Sequence, residues 1–373
     1  MKRAQAYSFI AKVLALKNDA NAYNALPAPF PVNENEWQMV VKTASDNLVL
    51  PSFYHKLYKA QLLHLLPDEL AAWSKSIYQL NLKRNNNILS QSLAVNQLLL
   101  QNEIRCIFMK GVANLMGGLY DGAGERMLYD IDILVRPEQL LCAANVLQSS
   151  GYHPVKPFNV KSLSSTMHYP LLVREGMVAG VEIHRLPTQY HYTKIMSNDE
   201  IFDDSMPAKG YGDFRIMGLR HRVIHNFVHT QLMHDGHYHA NIALRDLYDL
   251  YLLGDYYPLN LAYESIPRYR GHAGAYLDLM QGVFGVDEAK GQKGLLCGIS
   301  LRWRHRQVLR LSDYTLRLYH SVIFVCQKYL VLPIRVLWNP VARNYVFTRL
   351  LDRQWYATHF RAMKGRISKK RLP

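Results

Sequence analysis

The chain has 373 residues, 49% hydrophobic and 20% charged, which excludes a disordered or fibrous protein and allows two or three structural units. Its net charge of +15 is uneven: residues 301–373 hold sixteen Lys or Arg against Asp313 and Asp352, a local +14 that leaves the first 300 residues at +1. The cysteines Cys106, Cys142, Cys297 and Cys326 are far apart and form no CxxC pair, so they read as reduced core thiols of a cytosolic protein and exclude a disulfide framework.

Lys12, Lys17 and Asp19 interrupt the N-terminal apolar stretch that a signal peptide needs. The most apolar segment, Ser321 to Trp338, contains Gln327, Lys328, Arg335 and a helix-breaking Pro333, so a soluble chain is expected.

Residues 1 to about 100 read as helices. Leu48 to Tyr58 and Leu66 to Trp73 show apolar spacing near 3.6, and Pro67 with Asp68 marks a helix start. A long amphipathic helix is expected from about Ala71 to Asn102, with Asn85, Asn86 and Asn87 on its exposed face. Ile104 to Met109 then reads as a buried strand, ended by Lys110-Gly111, and Val112 to Leu119 as a helix. A glycine-rich loop, Gly117 to Gly124, leads into the strand Asp130-Ile-Asp132-Ile-Leu-Val135. Pro137 opens another helix that stops at Gly151, and His168–Arg174 with Val178–Arg185 form a hairpin around Glu175-Gly176. From about Leu219 the chain is helical again, first through the His-rich segment 221–253, then through the basic, aromatic end.

Side chains alternate faces along a strand, so Asp130 and Asp132 point one way while Ile131, Ile133 and Val135 point into the core. Two neighbouring carboxylates repel unless a cation sits between them, and Mg²⁺ carrying nucleotide phosphates is the commonest such cation. Glu182 and His184 alternate in the same way, and a third carboxylate beside the aspartates suits metal-assisted phosphoryl or nucleotidyl transfer. Lys110-Gly111 offers a point charge and a close backbone approach to phosphate, and Arg126 can neutralise leaving phosphates or lie in solvent. His225 and His229 share a helix face as zinc ligands can, but without HExxH; His234, His237 and His239 sit around an Asp-Gly turn, and capping or packing roles fit them better. Arg245 and Asp246 fit either an exposed ion pair or groups reaching toward the pocket. In the tail, Arg302, Arg304, Arg306 and Arg310 interleave with Trp303 and Leu309, and Lys369-Lys-Arg371 follows. Such a segment fits a solvated face, nucleic acid or an anionic membrane surface.

In this order, Lys110-Gly111, Arg126, Asp130-Ile-Asp132 and Glu182-Ile-His184 resemble the uncharacterised nucleotidyltransferase family, within the polymerase-β-like superfamily and typed in bacteria. The likeness spans about residues 35 to 255, with His225-Asn-Phe-Val-His229 and Leu244-Arg-Asp-Leu-Tyr-Asp-Leu as its helical continuation. The order of elements gives an α+β fold with a small mixed-sheet core over 103–218, flanked by an N-terminal helical region (1–102), a helical region packed on the core (219–300) and a basic helical tail (301–373) that lies outside the resemblance; the resemblance makes that core a nucleotidyltransferase core. It implies that Asp130, Asp132 and Glu182 hold Mg²⁺ or Mn²⁺, with Lys110, Gly111, Arg126 and His184 around the nucleotide. Val112 departs from the superfamily's usual Gly-Gly or Gly-Ser, and offers the phosphate no hydroxyl.

The expected reaction is metal-dependent transfer of a nucleoside monophosphate from an NTP to an acceptor hydroxyl on a protein, sugar, small molecule or RNA. Glu182 also helps to deprotonate the acceptor, and the expected location is cytoplasmic, at most peripheral to the inner membrane. Two alternatives are a degenerate scaffold working through its basic C-terminus and a DxD nucleotide-sugar glycosyltransferase. The sequence also predicts that Asp132→Asn abolishes product while leaving the thermal melt nearly unchanged.

Overall fold

The computed structural model describes residues 1–16, 30–158, 166–285, 304, 310, 311, 313–338, 340, 343, 346, 347 and 356. The chain divides into two compact units, Met1–His237 with Ile242–Arg302, and Tyr238–Asn241 with Trp303–Pro373.

The first unit opens with α1 (Arg3–Leu14), α2 (Glu34–Asp46), α3 (Leu50–Lys59) and α4 (Asp68–Leu100). Local chemistry sets their starts. Asn33 caps α2 by accepting from the Glu36 amide, Pro51 occupies the first turn of α3, and Asp68 and Glu69 complement the α4 dipole. Phe9 of α1 binds this layer together, packing against Phe30, Trp37 and Phe53 with ring centroids 5.4, 6.0 and 6.1 Å away.

The sheet has seven strands: β1 (Ile107–Phe108), β2 (Asp130–Leu134), β3 (His153–Pro154), β4 (Leu172–Val173), β5 (Gly180–His184), β6 (Met206–Pro207) and β7 (Arg215–Ile216). Their order is β3-β4-β5-β2-β1-β7-β6. The pairs β2–β5 and β1–β7 are parallel and the rest antiparallel, so the sheet is mixed. The hairpin around Glu175-Gly176 is present, with Gly176 at φ +76°, but its first arm pairs with the second at Leu172, opposite Val181, and at an isolated His168–His184 bridge. The strand expected over 104–109 likewise contracts to Ile107–Phe108.

Ile131, Ile133, Val181 and Ile183 join one apolar cluster with Ile88, Val95 and Leu99 of α4 and with Leu140, Ala143 and Leu147 of α6 (Leu140–Ser149). One face of the sheet is thereby sealed, and the alternate residues of β2 and β5 face the other way. Lys110–Met116 forms α5, and α7 (Asn198–Asp203) carries a Ser197/Glu200 capping box. Helix α8 (Leu219–Phe227) continues into a π-helical turn (Val228–Met233); α9 (Gly236–His239), α10 (Leu244–Leu253), α11 (Leu259–Glu264) and α12 (Arg270–Phe284) follow.

The asparagine patch on α4 corrects the sequence reading. Asn86 and Asn87 are exposed as expected, but Asn85 is fully buried, and its amide donates to the carbonyls of Ala123 and Arg126 (2.5 and 2.7 Å). Asn81, one turn earlier, donates to the Gly124 carbonyl (2.8 Å). Farther along, Gln91 donates to the Ala179 carbonyl (2.8 Å) and accepts from the Ala179 amide (3.2 Å). One helix about 50 Å long therefore holds the approaches to both β2 and β5 by side-chain amides.

In the second unit, Tyr314–Trp338 is one helical run of 25 residues, long and apolar enough by length and composition to cross a membrane. Lys328 and Pro333, which argue against such a helix in the sequence, do not interrupt it. A π-helical turn at Gln327–Val331 contains Tyr329, whose carbonyl the Pro333 ring meets in a regular α-helix. Of the basic tail positions, Arg304 and Arg310 are described, while Arg302, Trp303, Arg306, Leu309 and Lys369–Arg371 lie outside the described residues.

Candidate active site

The parallel register of β2 and β5 sets Asp132 directly opposite Glu182, and Leu134 opposite His184. Both acids leave the same face, because strand positions of equal phase point alike. Ligand atoms of Asp132, Glu182 and His184 all lie within 4.8 Å of one another. Asp130, first residue of β2, is not within that group, but it is half-buried and lines a cavity together with Glu182.

Asp132 is the buried centre of the cluster. Its Oδ1 accepts from Lys110 Nζ (2.6 Å) and from His184 Nε2 (2.9 Å), and His184 Nε2 lies 3.4 Å from Glu182 Oε2. Lys110 reaches Asp132 from a left-handed backbone, φ +50°, which a side-chain-bearing residue adopts at a cost. Burial opposes the charge on Asp132, yet Lys110 and His184 outweigh it and hold the carboxyl well below the usual range. Burial also opposes charge on His184, but its hydrogen bonds to Asp132 and Glu182 raise its pKa. The His184 bond holds Glu182 low. Asp130 goes the other way: burial, and then repulsion from Asp132, push it up to about 6.

Arg126 does not lie in solvent, and it is among the residues that line the cavity. It is buried, and its Nε and Nη2 donate to the two oxygens of Asp249 on α10 (2.9 and 2.7 Å), while Tyr120 donates to the same carboxylate. The close approach at Gly111 is to that arginine. A Cβ at Gly111 meets Arg126 Nη1 at 2.5 Å and Leu128 Cδ2 at 2.4 Å, so the glycine is required by packing inside the protein.

The facing wall comes from α8 and its π turn. Arg222, His225 and His229 share one face at helical spacing and line the cavity of about 450 Å³ with Lys110, Asp130 and Glu182. Arg222 is buried, donates from Nε and Nη2 to Asn114 Oδ1 (3.1 and 3.0 Å), and has no ion pair with a carboxylate among the described residues. Burial brings its pKa down to about 10, still a cation at neutral pH. Burial lowers His225 to about 3 and lowers His229 and His234, so three neutral imidazoles border the site. His225 donates to the Pro187 carbonyl (3.1 Å), and His229 and His234 approach through their Nε2 atoms (3.1 Å), a pairing made by the π turn. Arg245 and Asp246 also line the cavity, with Arg245 Nε 3.3 Å from Asp246 Oδ1.

Arg222 and Asp249 were the residues missed in the sequence. A signal existed for each: Arg222 lies three residues before His225 and seven before His229, and Asp249 follows Asp246 by three, so each falls on a helix face already singled out.

Carboxylates and an imidazole on adjacent strands of a mixed sheet form a group that could hold a metal ion. The chain belongs to the uncharacterised nucleotidyltransferase family, whose model matches residues 33–264, and it is a transferase. Neither the curated proteins nor the solved structures gave a match.

Proposed function

We propose that this transferase moves a nucleoside monophosphate from an NTP to an acceptor hydroxyl, with Mg²⁺ or Mn²⁺ at Asp132 and Glu182. The observation that carries the reading is the pairing of Asp132 with Glu182 across two parallel strands, next to Asp130. Two carboxylates and an imidazole converge there, and Lys110 alone balances Asp132 from outside the strands, so a divalent cation fits the donor set. When bound, that ion supplies Lewis-acid stabilisation of the charge on the phosphates.

The chain's own groups divide the remaining work. Of the cations that line the cavity, Arg222 has no carboxylate partner among the described residues and is assigned to the phosphates with Lys110, whereas Arg126 and Arg245 are paired with Asp249 and Asp246. Glu182 is engaged by His184, whereas Asp130 makes no hydrogen bond to the described residues and has its pKa near 6. Asp130 is therefore better suited than Glu182 to accept the acceptor's proton. As the acceptor oxygen bonds to the α-phosphorus, the bond to the β-phosphate oxygen breaks and pyrophosphate leaves. The neutral histidines border the space open to the acceptor.

The test is calorimetric binding of each NTP with and without Mg²⁺, followed by pyrophosphate release and transfer of α-labelled nucleotide to cell-extract acceptors. Glu182→Gln is expected to remove metal-dependent binding and transfer. A Glu182→Gln protein with undiminished transfer overturns the reading. Arg222→Gln is expected to weaken NTP binding about 10- to 100-fold, the loss of one charge-assisted contact.

A further inference from the structure

The second unit carries a surface that the transfer reaction does not use. No part of the apolar window within Tyr314–Trp338 is buried, and its mean hydropathy is 1.4. Leu318, Val322, Val325 and Tyr329 stand exposed at helical spacing of four, three and four, forming one stripe, and Ile334, Leu337 and Trp338 are exposed farther along. Arg317 and Lys328 lie eleven residues apart, close to three full turns, and so share a second line along the helix. An apolar stripe of that length beside a cationic line, inside a 301–373 segment of net +14, fits a single kind of partner.

A lipid surface with anionic headgroups receives both lines at once. RNA answers the charges and leaves the aliphatic stripe in water. A helix crossing the bilayer puts Lys328, near the middle of the run, at the hydrocarbon midplane, the costliest position for a charge. Lying flat, the same helix keeps Arg317 and Lys328 at headgroup level, with Tyr314 and Trp338 as amphipathic ends.

We propose that residues 314–338 bind an anionic membrane in its plane, with the Leu318–Tyr329 stripe in the acyl boundary and Arg317 and Lys328 on the headgroups. The full chain is floated with vesicles of phosphatidylcholine alone and of phosphatidylcholine with phosphatidylglycerol as the minor component. Co-flotation is expected with the anionic vesicles, about ten-fold above the neutral ones, and release is expected on alkaline carbonate washing. Val322→Asp with Val325→Asp is expected to abolish flotation, and Lys328→Glu to reduce it on anionic vesicles alone; the valines are exposed and Lys328 is half-buried over the Phe324 ring, and circular dichroism checks that the variants stay folded. Equal binding to both vesicles, retention through the carbonate wash, or salt-dependent RNA binding without flotation each overturns the proposal.

Discussion

At the scale of single residues, the site is a balance of charges in which each carboxylate has a different task. Asp132 is tied to Lys110 and His184, so removing its charge leaves a part-buried lysine without its counter-charge and a buried imidazole without its acceptor. Asp132→Asn is therefore expected to lower stability by about 3 kcal/mol as well as to abolish transfer. This replaces the unchanged melt that the sequence suggested. Asp130→Asn acts in the opposite sense. Asp130 is held charged at neutral pH against burial and against Asp132, so its neutralisation is expected to raise the melting temperature while lowering transfer. Parallel melts of the two variants at pH 7 decide the point; a shared sign defeats it. Glu125 gives a test remote from the chemistry. Burial pushes its carboxyl up to about 7 from an ordinary 4.5, and the adjacent His55 is kept neutral, first by burial. An acid whose folded pKa is raised adds stability that is complete below the unfolded pKa and is lost as pH climbs through the folded one. Glu125→Gln is thus expected to match the parent near pH 4.5 and exceed it by up to about 3 kcal/mol at pH 8, read from urea melts.

Elements explain why these residues meet. Strands β2 and β5 are distant in sequence, and their parallel register alone brings Asp132 to Glu182. Helix α4 holds the chain entering β2 through Asn81 and Asn85, and the residue before β5 through Gln91. Asn85→Ala removes the side-chain donor to the Ala123 carbonyl and leaves the Arg126 carbonyl only the longer 3.3 Å bond from Asn81, and is expected to cost about 1–3 kcal/mol. Transfer is expected to fall more than the folded fraction does, because the approach to Asp130 loosens. If specific activity per folded molecule is unchanged, α4 is a scaffold without influence on the site. The π turn after α8 acts at the same scale. It brings His229 to His234, five residues on, which a regular helix does not.

At the scale of the whole molecule, a family core and a basic, apolar-faced C-terminal segment share one chain. The family model covers 33–264, and the exposed helix lies beyond it. Because the acids repel and Asp130 is destabilising while charged, ligands that relieve this are expected to add stability by mass action. Mg²⁺ with a non-hydrolysable NTP, each at about 100 times its dissociation constant, is expected to add about 3 kcal/mol or more, and Asp130→Asn to shrink that gain. Thermal scans with Mg²⁺ alone, NTP alone and both together read it directly; additive small shifts without synergy count against a shared site.

The sequence alone determined what depends on local order. Alternation in Asp130-Ile-Asp132 and Glu182-Ile-His184 marked which side chains share a face, and Pro67, Pro137 and Gly151 marked element ends, because phase along a strand and φ at a turn are set by neighbours in the chain. What it left undecided were relations between distant segments. The burial of Asn85, the pairing of Arg126 with Asp249, the demand on Gly111 and the arrival of Arg222 at the wall of the cavity belong to tertiary structure alone. A polar residue reads as exposed until the group that satisfies it is brought from far along the chain, and only packing brings it.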